Sequence, residues 1–77
     1  MSFPLCTTLL NLVKANAELK RDLNRSYWSE DVIRLFYKSC EEIIESKNQE
    51  EIETLEYMAK RLRRENERLG EILSYPK

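Results

Sequence analysis

From Ile52 to Leu73 the chain repeats at spacings of three and four without a slip, through Ile52, Leu55, Ala59, Leu62, Asn66, Leu69 and Leu73. With Ile52 at a heptad a position, Leu55, Leu62 and Leu69 fall at d, and Ala59, Asn66 and Leu73 fall at a. A helix turns this spacing into one narrow stripe, and such a stripe is buried against a second helix. That second helix can lie in the same chain or in another.

A matching stripe stands near the N-terminus, where Leu5, Leu9, Leu12, Asn16, Leu19 and Leu23 are again three and four apart. Asn16 takes an a position if Leu9 is a, as Asn66 does in the later seam. Leu10, Val13 and Ala17 lie beside the stripe and widen the apolar face to about half the circumference at 100° per residue. A helix that apolar needs neighbours on two sides. Ser2 ahead of Pro4 is a start signal, so the spacing predicts a first helix over about residues 4–24.

The periodicity lapses between Asn24 and Ser29, among turn and cap residues. Ser29 as N-cap puts Glu30 and Asp31 in the first turn of a second helix, with Trp28 placed to fold over Ile33 as a hydrophobic staple. Val32, Ile33, Phe36, Tyr37, Cys40, Ile43 and Ile44 form its apolar side over about residues 30–46. Asn48 followed by Glu51 reads as a capping box opening a third helix over about residues 49–73. No Gly or Pro enforces that break, so a helical hairpin with one long helix from 30 to 73 is the alternative architecture.

The fold class that follows is all-α: one helical domain over residues 1–77, a small three-helix antiparallel bundle with a long heptad-patterned third helix, and oligomeric. At 77 residues a single core is marginal, and 35% charged residues with one Gly and two Pro suit helices better than sheets. In an up-down-up arrangement Asn16 and Asn66 come to similar heights and can bond to each other, the usual way a buried polar pair fixes a register. On the seam pattern alone, Asn66→Leu is expected to raise thermal stability while broadening the oligomer distribution.

Composition excludes more than it proposes. There is no His, only two Cys, Cys6 and Cys40, and no glycine-rich phosphate loop, so neither a metal centre nor a common catalytic constellation is expected, and no cofactor or small-molecule substrate. The two cysteines read as small apolar core residues. Residues 1–28 carry four basic and two acidic groups, residues 29–56 three and nine, and residues 57–77 six and three. This places acidic groups at one tip of a rod and basic groups at the other. No basic residue precedes Lys14, which argues against a secretory signal, and no apolar run approaches the roughly 20 residues of a membrane span. A cytoplasmic chain is expected, or a nuclear one in a eukaryote.

The functional expectation is a non-enzymatic protein–protein interaction module, an adaptor, assembly subunit or small inhibitor that binds a partner or itself. Its seam is Ile52, Leu55, Ala59, Leu62, Asn66, Leu69, Leu73 and Asn16, and its partner surface Leu10, Val13, Tyr27, Trp28, Met58 and Ile72. The alternative is a small nucleic-acid-binding regulator contacting phosphates through Lys60, Arg61, Arg63, Arg64 and Arg68, with Tyr57 or Tyr75 stacking on a base. Against it stand Glu65 and Glu67 inside the cluster. The i,i+4 spacings Glu56–Lys60, Arg61–Glu65 and Arg63–Glu67 also suit an ordinary solvated helix.

Overall fold

A computed structural model describes residues 4–75 of the chain. Its described residues form three α-helices and no strand: α1 Pro4–Asp22, α2 Glu30–Ser46 and α3 Gln49–Ser74. The long-helix alternative is thereby corrected, because the chain breaks at Lys47 and Asn48. The expected cap at Ser2 lies outside the described residues.

Each boundary has a local cause. Pro4 opens α1, where its missing N–H leaves no bond unmade and its fixed φ already suits a helix. At the other end Asn24 adopts the left-handed region at φ 61°, and the backbone closes with Arg25 N donating to Lys20 O at 2.7 Å and Asn24 N to Arg21 O at 3.0 Å. This is a Schellman closure, and Asn is the non-glycine residue that tolerates it best. It stops α1 at Asp22, ahead of the expected position near residue 24.

Ser29 caps α2, its Oγ accepting from Val32 N at 3.4 Å, with Glu30 and Asp31 following in the first turn. α2 ends where Lys47 takes φ 58° and donates its N–H to Ile44 O at 3.2 Å. Asn48 then caps α3, its Oδ1 accepting from Glu50 N and Glu51 N at 3.1 and 3.4 Å. The reciprocal arm differs from the usual box. Glu51 Oε1 accepts from Asn48 Nδ2 at 2.9 Å, while the Asn48 backbone N–H is directed at Ser46 Oγ.

All three helices contribute to one core cluster: Cys6 and Leu9 from α1, Cys40 from α2, Leu55 and Ala59 from α3. Leu5, Leu12, Phe36, Tyr37, Ile43, Ile44, Met58 and Leu62 pack around it, and Val13, Ile33 and Leu69 are also buried. α1 packs chiefly on α3 and less on α2, and α2 and α3 touch least. Contacts pair early α1 with early α3, and late α1 with late α3 through Asn16, Asn66 and Lys20. The described residues span 48 × 23 × 20 Å, an elongated body.

The heptad seam is thus consumed largely within the chain. Leu55, Ala59 and Leu69 are buried, and Ile52, Leu62 and Asn66 are partly so. Leu73 departs from the expectation at 40% exposed. The Asn16–Asn66 pair sets the register, and in that register Leu73 stands level with Leu23, where α1 has ended and the chain turns away.

Candidate interaction surface

The most specific polar feature of the interior is the asparagine pair. Asn16, only 8% exposed, donates through Nδ2 to Asn66 Oδ1 at 2.9 Å and to Glu65 Oε1 at 2.6 Å. Asn66 Nδ2 donates in turn to Leu12 O at 3.0 Å, and Lys20 Nζ approaches Glu65 Oε1 at 3.1 Å. No buried side-chain polar atom among the described residues lacks a partner. The hydrogen bond from Asn16, then that from Lys20, hold the Glu65 carboxyl below its usual range, against a smaller opposing effect of burial. Such a network favours one register of the two helices, because a shift of one turn would strand the buried Asn16 amide.

Glu65 was not legible as part of this network, since its spacing from Arg61 suggests a surface pair. In the structure none of the Glu56–Lys60, Arg61–Glu65 and Arg63–Glu67 pairs closes within 4 Å; among the described residues the ion pair formed is Lys20–Glu65. Asn16 and Lys20, one turn apart on α1, hold the half-exposed Glu65 carboxylate against α1. Arg61 lies instead over the Tyr57 ring, 5.9 Å from its centroid.

Next to this network stands Trp28. Its ring meets Phe36 edge-on, with centroids 5.5 Å apart and planes at 63°, and shares a groove lining with Ile33, the position expected of a staple. It remains 47% exposed. A groove of about 500 Å³ runs on one side of it between α1 and α2, lined in part by Leu10, Ala17, Tyr27, Ile33 and Tyr37 and rimmed by Lys14, Arg21 and Arg34 against Glu18 and Glu30. A second groove of about 250 Å³ lies on its other side between α1 and α3, with Val13, Ala17, Met58 and Leu62 beneath Lys20, Arg61 and Glu65. Trp28 and Ala17 border both.

The expected partner surface is therefore partly assembled. Leu10, Tyr27, Trp28 and Met58 line these two grooves, and Ile72 is exposed further along α3. Val13 is a correction, for it is 3% exposed and belongs to the floor, covered because α1 is flanked by both other helices. Val32 and Leu35 on α2 are exposed apolar residues that the amphipathic pattern did not mark as outward. Lys60, Arg61, Arg63, Arg64 and Arg68 are all exposed on α3.

Cys6 and Cys40 are free and buried in the shared cluster. Burial, with a smaller contribution from Cys6, pushes the Cys40 thiol up to about 11; burial and then Glu41 raise that of Cys6. Neither thiol is poised as a nucleophile. Among the described residues no helix is long and apolar enough to cross a membrane. Comparisons with protein-family models, with curated proteins and with solved structures find no match to this chain.

Proposed function

We propose that this chain is a non-enzymatic docking module, an up-down-up bundle of antiparallel neighbours that receives an amphipathic helix of another protein across Trp28. The observation that carries the reading is the half-exposed tryptophan bordering two grooves that combine apolar and charged side chains. Aromatic anchors set among apolar pockets dominate binding energy at protein interfaces, and a groove with i,i+4 apolar sites suits a helix. The seam is largely consumed inside the chain, so what remains for a partner is this flank rather than the zipper stripe.

The test uses the chain's one tryptophan. A library of amphipathic helical peptides is selected against the full chain, and binders are compared on wild type, Trp28→Ala and the surface control Leu35→Ala. Binders should blue-shift Trp28 fluorescence, protect it from acrylamide, and weaken at least tenfold on Trp28→Ala. Peptides that bind both variants as tightly as wild type, with Trp28 still open to quencher, would refute the site.

A second reading rests on Arg61, Arg64 and Arg68 sharing one exposed face of α3 with Tyr57, with Tyr75 exposed just past the end of the helix, the arrangement a nucleic-acid contact would use. It is weaker, because the chain carries a net charge of -1 and the acidic residues Glu50, Glu51, Glu53 and Glu56 precede those arginines on the same helix. Binding to duplex or single strands that falls steeply with salt would favour it, and no binding at low salt would remove it.

A further inference from the structure

The outward face of α3 carries a charge sequence that is complementary to its own reverse. Glu50, Glu53, Tyr57, Arg61, Arg64 and Arg68 follow one another at spacings of three and four, which places them on one stripe, and all six are exposed. None of their charged groups belongs to the Lys20–Glu65 ion pair, the one formed among the described residues. Reading from the N-terminal end, the stripe runs acid, acid, Tyr, Arg, Arg, Arg.

A second α3 laid against this stripe end for end, about a point level with Ala59, brings Glu50 opposite the second copy's Arg68 and Glu53 opposite its Arg64. Tyr57 then faces the second copy's Arg61. Each pairing occurs twice, because a two-fold axis repeats every contact. The paired length from residue 50 to residue 68 is roughly 27 Å at the rise of an α-helix. Tyr57, 61% exposed, and Arg61 stand nearest the axis, and the Tyr57 ring already attracts the guanidinium of its own Arg61. A parallel pairing would instead set Arg61, Arg64 and Arg68 against their own copies, and like charges facing each other oppose association.

We propose that the outer stripe of α3 is a homodimer interface: two copies of this chain pair antiparallel through Glu50–Arg68, Glu53–Arg64 and Tyr57–Arg61 contacts. The arrangement is isologous, so it closes at two copies and does not propagate. Charge complementarity supplies register and encounter rate, and the interface is correspondingly salt-sensitive. It extends the interaction reading to a second copy of the chain and excludes Trp28; Arg61 also rims the groove between α1 and α3, and the charge variants leave it in place, so they test the dimer apart from the Trp28 site.

Sedimentation equilibrium of the full chain decides it, run at about 20 mM and about 500 mM salt, where the screening length falls from roughly 20 Å to roughly 4 Å. The wild type should be dimeric at low salt and at least tenfold more dissociated at high salt. Arg64→Glu with Arg68→Glu leaves Arg61 as the one base on an otherwise acidic stripe, and Glu50→Arg with Glu53→Arg makes the stripe all-basic. Each variant should be monomeric alone, and an equimolar mixture should restore the dimer. Circular dichroism at high salt confirms that each is folded; if the basic variant loses its first turn of α3, the acidic variant and the salt series still decide. A wild type that stays monomeric at low salt, or grows beyond two copies, overturns the proposal. So does a monomer that binds a duplex DNA oligonucleotide through the same arginines.

Discussion

Asn16 is the residue whose removal most sharply tests how α1 and α3 are held. Asn16→Ala deletes two hydrogen bonds, one to the Glu65 carboxylate and one to the Asn66 amide. A bond to a charged group contributes about 1.5–3 kcal/mol and a neutral one about 0.5–1.5 kcal/mol. The Glu65 side chain is 49% exposed, so water replaces much of what Asn16 gave it and the lower end of each range applies. The expected loss is about 2 kcal/mol, which in a domain of this size lowers Tm by roughly 8–16 °C. Urea unfolding followed by circular dichroism, with thermal melts at the same pH, measures it.

The sign of the companion substitutions matters more than their size. Asn66→Leu alone leaves one Asn16 N–H without its acceptor in the interior, so it should destabilise by about 1 kcal/mol, the reverse of what the seam pattern suggests. Replacing both asparagines by Leu removes donor and acceptor together and should be neutral or stabilising relative to either single change. If Asn16→Ala lies within about 0.5 kcal/mol of wild type, or if the double-Leu variant is the least stable of the set, the network does not fasten the two helices.

Further outcomes follow from other groups. Because the folded state holds the Glu65 carboxyl below its reference of 4.5, its stabilising contribution is present above that pH and is lost as pH falls below it; acid titration of Asn16→Ala should show a smaller loss than wild type over this window. The Cys40 thiol, raised from 9.0 to about 11, keeps its proton while the unfolded chain gives it up, so stability should fall as pH rises across that interval, and Cys40→Ser should flatten the fall. Lys47→Gly relieves a left-handed side chain and should raise stability by roughly 1 kcal/mol, seen as a higher urea midpoint. Leu9→Ala opens the centre of the core cluster, where Leu9 is fully buried, and should cost about 2–5 kcal/mol, enough to unfold much of the chain at physiological temperature by circular dichroism.

Helix placement was legible because the chain writes its caps locally. Ser29, Asn48 and Pro4 each act within one turn, and no distant contact is needed to place them. The apolar stripes of α1 and α3, each interrupted by one Asn, likewise pointed to the pairing of Asn16 with Asn66. What remained hidden depends on where neighbouring helices end. Leu73 has the right period and stays exposed, because α1 stops beside it. Val13 lies outside the narrow seam and is buried, because α1 is flanked on two sides. Glu65 shows the same limit at the candidate site, where a long-range amide captures a surface carboxylate, and the Trp28–Phe36 contact is one that the staple pattern does not reveal.

The claim on which the rest depends is that the heptad seam closes inside one chain and leaves the Trp28 flank for a partner. Thermal unfolding at about 500 mM salt, where pairing through surface charges is screened, should be measured over a hundredfold range of protein concentration. A Tm that stays constant is the expected result, since a seam closed within the chain unfolds without dissociating. A Tm that climbs with concentration would mean that the seam is completed by a second molecule, and would contradict it.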